Sequence, residues 1–471
     1  MKSLESSRKR SGIQLAVMTA SVLLVTYVET MIIPAIPLIQ HDLNTSTANV
    51  SWILTVVLLM GAIFSPLFGK LGDIYGKKLI FMASLLIYTL GALTAVFANS
   101  IYVLVGARAL QGVGFAVLPL SLAMIPEILP SDKMGLGQGI VAGSAALSAI
   151  LGLIIGAWVV QSYGWRSAFL SAVILSLLLI ILSLAFLQPS KVLPGGKVDY
   201  PSALALMGGV GFPLLYLSEG AQIGWESFEA LLLLIVGVIA IISFLYQSLK
   251  SSNPLIPLGL LRERNVLIAN VIAFLAAMAN FVAFFAFIYL AELPKPYGFS
   301  LNVLETGRFL LPAVIAMLIG GILAGIGTSK IGPKPIIFAG SVLMMLGFVL
   351  FLVNRATVFD LQLDAVISLG GMMPSLVSVV NMISVSLPKE FIAVGQSVNT
   401  TLKSVGNSVG PVVSAMFMTQ YTVGNTELPS SVAFNSMFLL SIITSILIIV
   451  ISLFISNYRL GQPQRESKDL Q

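Results

Sequence analysis

The residue with the clearest potential for chemistry is Glu29, an acid inside a long apolar run. It lies about sixteen residues into that run, where an ionised carboxylate would cost several kcal/mol if the run crosses a membrane. Removal from water disfavours the charged form, so a proton can bind near neutral pH. We therefore predict that Glu29 binds a proton. The alternative is a structural glutamate that is hydrogen-bonded to a neighbouring helix.

A second charged residue, Arg108, lies in the fourth apolar run, in the order Arg108-Ala-Leu-Gln111-Gly. An arginine stays charged in a membrane, so it needs an acidic partner or water. Glu29 is the predicted partner, and Gln111 lies one turn from Arg108 on the same helix face. A conformational change could then shift the charge balance of the pair. The alternative is that Arg108 extends along its helix to the lipid headgroups.

Four further side chains are predicted, from the helix faces on which they lie, to line a substrate cavity together with Gln111. They are Thr26, Asn280, Phe284 and Asn381. The run around Phe284 is crowded with phenylalanine. Such crowding suits a hydrophobic, drug-like ligand, although packing against lipid produces it as well.

The composition defines the surroundings of these residues. Of the 471 residues, 57% are hydrophobic and 9% are charged, whereas a soluble domain has about 25% charged residues. The solvent of this chain must therefore be lipid, in which continuous apolar runs form helices. The predicted fold class is an all-α membrane protein.

The composition also argues against several kinds of site. The chain has no cysteine and one histidine, His41, so we expect no metal site and no thiol chemistry. The net charge of +6 is spread among loops, which does not indicate nucleic-acid binding. The sequence has no phosphate-binding lysine loop of the Walker type. We therefore expect no cofactor, no ATP hydrolysis and no enzymatic activity.

Fourteen apolar segments are predicted to cross the membrane. They lie at about 13–38, 49–69, 79–98, 101–127, 135–160, 167–187, 200–219, 230–249, 265–290, 303–327, 335–353, 362–386, 395–418 and 432–456. With both termini in the cytoplasm, 19 of the 25 lysines and arginines fall in inner loops or tails and 3 in outer loops. Because positive charge collects on the cytoplasmic side, we predict this orientation, in the plasma membrane.

The ten residues between the second and third segments read Gly69-Lys-Leu-Gly-Asp73-Ile-Tyr-Gly76-Lys77-Lys78. Three glycines allow a tight turn, and Asp73 can pair with a cation or face a helix N-terminus. We predict that this stretch is a gating loop, which holds two helix bundles together and then releases them.

Part of this stretch recurs 256 residues later, because the spacing of Gly69, Gly76 and Lys78 returns within 325–334. Such a repeat indicates two six-helix halves, with substrate bound between them near the middle of the membrane. Helices 7 and 8 are then an inserted pair. The predicted division is an N-terminal bundle at 1–187, inserted helices with linkers at 188–264, a C-terminal bundle at 265–456 and a cytoplasmic tail at 457–471.

Several of these patterns resemble signatures of the major facilitator superfamily. Residues 69–78 are similar to its Gly-x-Leu-Ala-Asp-x-x-Gly-Arg-Lys, and residues 108–114 match its Arg-x-x-Gln-Gly-x-Gly. Glu29, the neighbouring Thr30 and Pro37 resemble the first-helix pattern Asp-x-Thr-x-x-x-x-x-Pro of the fourteen-helix drug/proton antiporter branch. The resemblance implies transport by alternating access, and the branch implies export driven by inward proton flow.

The fifth segment departs from the antiporter signature Gly-x-x-x-Gly-Pro-x-x-Gly-Gly, since Leu153 and Ala157 replace the proline and the last glycine. Three functions stay open: a proton-coupled exporter of hydrophobic or cationic small molecules, a facilitative or proton-symport carrier of a small metabolite such as an anion, and a non-transporting membrane receptor or assembly protein. The expected partners are a small-molecule substrate, protons and the lipid bilayer, and the expected state is a monomer.

Overall fold

The computed structural model describes residues 2–129, 134–189, 199–251, 254, 256, 258–387, 389–424, 426 and 428–456. The predicted tail at 457–471 and the predicted inner-loop cations Lys133, Lys191 and Lys197 lie outside these residues. Apart from one isolated β-bridge between Thr422 and Pro429, the regular structure of the described part is helical.

The described α-helices share the lengths expected of membrane segments or of pieces of them. In chain order they are α1 (Lys2–Ile32), α2 (Ile36–Asp42), α3 (Thr47–Tyr75), α4 (Lys77–Val96), α5 (Ile101–Gly112), α6 (Val117–Ile128), α7 (Met134–Leu151), α8 (Ala157–Tyr163), α9 (Arg166–Phe186), α10 (Tyr200–Ile223), α11 (Phe228–Lys250), α12 (Arg264–Glu292), α13 (Val303–Ile331), α14 (Pro333–Val353), α15 (Val358–Ser386), α16 (Lys389–Gln420) and α17 (Ser431–Leu453).

Three membrane segments are interrupted by a short turn of another helix type. A 3-10 turn at Ile33–Ala35 joins α1 to α2, and a second at Val113–Ala116 joins α5 to α6. Pro34 lies in the first turn and lacks the amide hydrogen that an α-helix uses there. A π-helical turn at Gly152–Gly156 joins α7 to α8, and such turns are frequent at functional sites.

The fourteen predicted membrane segments all correspond to helices. Twelve helices of the described residues are long and apolar enough to cross a membrane. The interrupted fifth segment, α7 with α8, and the more polar α16 occupy the two remaining positions. The prediction of an all-α membrane fold is therefore confirmed.

The chain divides into two compact units, of which unit 1 comprises Met1–Thr45 and Val56–Val198, and unit 2 comprises Ser46–Thr55 and Asp199–Gln471. In unit 1, α4 packs against α5 and α9, while α1 packs against α7 and α9. In unit 2, α15 packs against α13 and α14, α12 packs against α16 and α17, and the inserted helices α10 and α11 pack against each other. The predicted domain boundaries at 187/188 and 264/265 stay predictions.

The predicted ten-residue gating loop is mostly helical. Helix α3 continues through Tyr75, and Gly76 alone separates it from α4. Gly76 makes the turn with φ of 98°, a region that glycine adopts at little cost. Within the helix, a Cβ on Gly72 would lie 2.7 Å from the side chain of Leu120. Helix α3 therefore lies close to Leu120 of α6 at this glycine, although glycine costs a helix about 1 kcal/mol relative to alanine.

The internal repeat has a structural counterpart at this turn. Gly332, which corresponds to Gly76, separates α13 from α14 with φ of 87°. The lysine two residues later also has the same role in both places. Lys78 Nζ donates to the carbonyl oxygen of Leu184 at 3.3 Å, and Lys334 Nζ donates to that of Leu453 at 2.8 Å. Each lysine therefore satisfies a carbonyl at the C-terminal end of another helix of its own unit.

Candidate functional site

The candidate site is a buried ion pair inside unit 1. Glu29 lies on α1, close to the end of that helix, and is 7% exposed. Arg108 lies on α5 and is 1% exposed. A guanidinium Nη2–H of Arg108 donates to Glu29 Oε2. The structure thus brings together the two charged residues that the sequence paired, and Arg108 does not extend toward the headgroups.

Gln111 fixes the other side of the guanidinium group. Arg108 Nη1 donates to Gln111 Oε1 at 2.9 Å, within one turn of α5. Gln111 is fully buried. A neutral acceptor here holds the guanidinium in place without adding a second negative charge, so Glu29 remains the residue whose protonation changes the net charge of the site.

Three polar atoms at this site have no hydrogen-bond partner among the described residues. They are Glu29 Oε1, Gln111 Nε2 and the hydroxyl of Tyr88, all buried. Tyr88 lies on α4, is 1% exposed, and is within electrostatic reach of both members of the ion pair. Buried polar groups are usually satisfied, so this acceptor and these two donors can serve a proton, a water molecule or a polar group of a ligand.

Close backbone contacts position the helices that carry the pair. A Cβ on Gly91 of α4 would lie 2.6 Å from the carbonyl oxygen of Ala107, so α4 meets α5 directly beside Arg108. A Cβ on Gly152, in the π-helical turn, would lie 2.9 Å from the carbonyl oxygen of Tyr27. The fifth membrane segment therefore packs on α1 next to Glu29 and limits the position of its backbone.

In this arrangement Glu29 can gain or lose a proton while Arg108 stays shielded from lipid. The ionised pair is neutral as a whole, which offsets much of the cost of burying two charges. A proton on Glu29 would break the ion pair and leave Arg108 with Gln111 as its neutral acceptor. A cationic ligand could compete with Arg108 for the same carboxylate, because Oε1 has no partner among the described residues.

The remaining predicted cavity residues lie in both units. In unit 1, Thr26 is half-buried, and its hydroxyl donates to the carbonyl oxygen of Val22 at 3.2 Å. In unit 2, Asn280 and Asn381 are half-buried, and Phe284 is buried. Asn280 Oδ1 has no hydrogen-bond partner among the described residues. The structure brings Gln111 to the Glu29–Arg108 pair, and the role of the other four residues stays a prediction.

The charged residues of the predicted gating stretch pair within unit 1. Lys77 Nζ lies 2.6 Å from Glu127 Oε1 and 3.9 Å from Asp73 Oδ1. These contacts tie the turn at Gly76 to the end of α6. Gly69 lies inside α3, where a Cβ would meet nothing within 4 Å.

Comparison with known proteins identifies the family. The sequence model of the Major Facilitator Superfamily matches residues 18–411. The chain belongs to this superfamily. This major facilitator protein is 26% identical over 389 residues to the multidrug transporter protein MdtP of Bacillus subtilis, covering 81% of this chain and 70% of that protein.

A second sequence relative and a solved structure are also similar to this chain. The tetracenomycin C resistance and export protein of Streptomyces glaucescens is 27% identical over 427 residues, which cover 87% of this chain and 76% of that protein. The crystal structure of an autoinhibited peptide transporter of the POT family superposes with a TM-score of 0.67 at 12% identity, covering 96% and 98% of the two chains. That structural likeness shows the fold alone.

These matches assign a general activity. The protein is a multi-pass membrane transporter of the major facilitator type, with a small molecule as its substrate, rather than an enzyme. Among the described residues, no group of three or more histidine, cysteine, aspartate or glutamate side chains could hold a metal ion.

Sequence reasoning missed two residues, Tyr88 and Glu292, each with a buried polar atom that has no hydrogen-bond partner among the described residues. Tyr88 lies in a uniformly apolar run, so the sequence gives no sign of the face on which its hydroxyl lies. Glu292 ends α12, two residues beyond the predicted segment at 265–290. A boundary drawn two residues later would have shown an acid inside a membrane segment.

Proposed function

We propose that this protein exports hydrophobic or cationic small molecules in exchange for protons that flow inward, by alternating access. The observation that carries the proposal is the Glu29–Arg108 pair, buried on two membrane-spanning helices. An intramembrane acid is costly and usually functional. The names of two relatives, a multidrug transporter and a resistance and export protein, support export over uptake.

In this proposal Glu29 is occupied in turn by a proton and by the substrate. The ionised carboxylate attracts a cationic substrate, and a proton from the outer side displaces it. Arg108 competes with the substrate for the carboxylate, and Gln111 holds the guanidinium when the pair is broken. Proton and substrate therefore exclude one another at one acid, which is the requirement for exchange rather than co-transport.

Other features of the proposal follow from the predicted fold. Both termini lie in the cytoplasm, and the turn at Gly76 with its lysines acts at the inner gate. Thr26, Asn280, Phe284 and Asn381 contribute to substrate binding. The fourteen-helix antiporter branch, the plasma membrane location and a monomeric state complete the proposal.

A second candidate is a facilitative or proton-symport carrier in which Arg108 binds an anionic metabolite. The observation that favours it is the sequence of the fifth segment, where Leu153 and Ala157 replace the proline and glycine of the antiporter signature. The membership in a transporter superfamily argues against the third alternative, a receptor that transports nothing.

The test is transport of a fluorescent cation, ethidium, into proteoliposomes whose orientation has been determined. We expect a pH gradient to drive ethidium against its own gradient in the wild type. Glu29→Gln should abolish this uphill movement, while Glu29→Asp should retain part of it. The facilitative carrier would be favoured by two results together: the wild type moves no ethidium uphill, and Glu29→Gln still lets ethidium move down its own gradient.

A further inference from the structure

Unit 2 contains a half-buried acid, Glu292, that no motif marks. Glu292 is the last residue of α12, a helix that is apolar enough to cross a membrane. Its carboxylate atom Oε1 is buried and has no hydrogen-bond partner among the described residues. Such an atom needs an explanation, since buried polar groups are almost always paired.

Hydroxyl groups on α12, α13 and the start of α3 lie near this acid, within unit 2. Thr306 on α13 is fully buried, and its hydroxyl lies close to the Glu292 carboxyl group without forming a regular hydrogen bond to it. Tyr289 lies one turn earlier on α12, is 4% exposed, and bonds through its phenol to the hydroxyl of Thr47 at the start of α3. The carboxyl group therefore lies where the ends of α3, α12 and α13 meet.

No cation among the described residues pairs with Glu292. Helix α12 packs against α13, α15, α16 and α17. At the end where Glu292 lies, α16 ends and α17 begins without a charged residue. The other titratable or charged groups at that end are Tyr289 on α12, Lys295 and Tyr297 between α12 and α13, Glu305 and Arg308 on α13, Arg355 before α15, Asp360 and Asp364 on α15, and Tyr421 after α16. Lys295, Glu305 and Arg308 are exposed, and neither cation lies within ion-pair distance of Glu292.

The protonation state of Glu292 follows from these surroundings. In an ionised carboxylate the buried oxygen Oε1 would carry charge without access to bulk water and without a hydrogen-bond donor among the described residues, which is unfavourable. A neutral carboxyl group avoids that cost, and its O–H can donate to the hydroxyl oxygen of Thr306. The packing of this end of the unit therefore favours a proton on Glu292.

We propose that Glu292 is a second proton-binding site, and that a proton taken from the side predicted to be outside lets the ends of α3, α12 and α13 pack together. The proton comes from water and joins a carboxylate oxygen, which leaves a neutral acid. It returns to water when this end of the unit opens and the carboxylate is hydrated. The inference rests on the proposed function, because it assigns control by external pH to the same exporter.

The first test is ethidium counterflow at equal pH on both sides of the membrane, which requires no net proton movement at Glu29. In the wild type we expect the rate to fall by about tenfold per pH unit once Glu292 is mostly ionised. Glu292→Gln, whose side chain stays neutral, should lose this alkaline decline and change less than twofold over the same range. The matched control is Glu305→Gln, which removes an exposed acid one residue from Thr306 and should behave as the wild type. An unchanged decline in Glu292→Gln would overturn the proposal.

The second test does not depend on transport. Infrared spectra of the purified protein should contain the carbonyl stretching band of a protonated carboxyl group at neutral pH. That band should be lost in Glu292→Gln and kept in Glu305→Gln. If Glu292→Gln does not fold, Glu292→Asp should shift the band instead. A band that all variants share would overturn the proposal, whereas a wild type that shows this band but moves no ethidium would count against the proposed function alone.

Discussion

The buried pair predicts an unequal cost for removing its two members. Glu29→Gln leaves Arg108 charged, since a guanidinium group does not lose its proton in a protein. Because Arg108 is 1% exposed, the uncompensated charge should destabilise the fold by about 3–5 kcal/mol. Arg108→Gln leaves a carboxyl group that can take up a proton and become neutral, so its cost is the loss of hydrogen bonds to Glu29 and Gln111, about 1–3 kcal/mol.

The double variant Glu29→Gln/Arg108→Gln should then be more stable than Glu29→Gln alone. Its loss of unfolding free energy should be about 3 kcal/mol smaller than the summed losses of the two single variants. The assay is unfolding of the purified protein in mixed detergents at increasing SDS fraction, followed by far-ultraviolet circular dichroism. Glu226→Gln, at an exposed acid outside the helices, is the control and should change stability by less than about 0.5 kcal/mol. Equal destabilisation by the two singles, or additivity in the double variant, would refute the assignment of a buried, charged pair.

Two further predictions concern glycine positions and use the same unfolding assay. Gly76→Ala should cost about 1–3 kcal/mol because φ is 98° there, whereas Gly69→Ala, with nothing within 4 Å of the new Cβ, should be neutral or stabilise α3 by up to about 1 kcal/mol; a loop at 69–75 would remove this difference. Gly152→Ala should cost about 1–3 kcal/mol and slow ethidium transport, because the new Cβ would lie 2.8 Å from Thr30 Cβ and displace α1 beside Glu29. Gly106→Ala on α5, where a Cβ meets nothing within 4 Å, should leave both properties unchanged, and equal effects of the two would contradict a tight contact at Gly152.

Much of the fold could be predicted because lipid leaves the backbone few choices. Continuous apolar runs must form helices, so the fourteen segments could be located from composition and periodicity. Their ends were less certain. The stretch 69–75 looked like a turn, since glycine has a low helix propensity, yet α3 continues through it to Tyr75. The π-helical turn at Gly152–Gly156 packs against α1, a long-range contact that no local pattern encodes.

The core of the site could also be predicted, for a different reason. An acid and an arginine inside membrane helices each need a partner. Pairing Glu29 with Arg108 satisfies both residues, which is why the sequence predicts it. The sequence did not predict Tyr88, because an apolar helix does not show which of its faces is packed against the site. The sequence also does not show that Asp364 is buried: Asp360 caps α15 together with Thr357, and Asp364 lies one turn further in, 3% exposed.

The central claim is that one acid, Glu29, binds either a proton or a cationic substrate. It is tested most directly by adding tetraphenylphosphonium to the purified protein in weakly buffered solution and measuring the protons released on binding. At a pH acidic enough for Glu29 to be protonated before the cation binds, we predict that the wild type releases protons on binding, and that Glu29→Gln releases about one fewer for each cation bound. A wild type that binds the cation without releasing protons, or a Glu29→Gln variant that binds it and releases as many as the wild type, would contradict the claim.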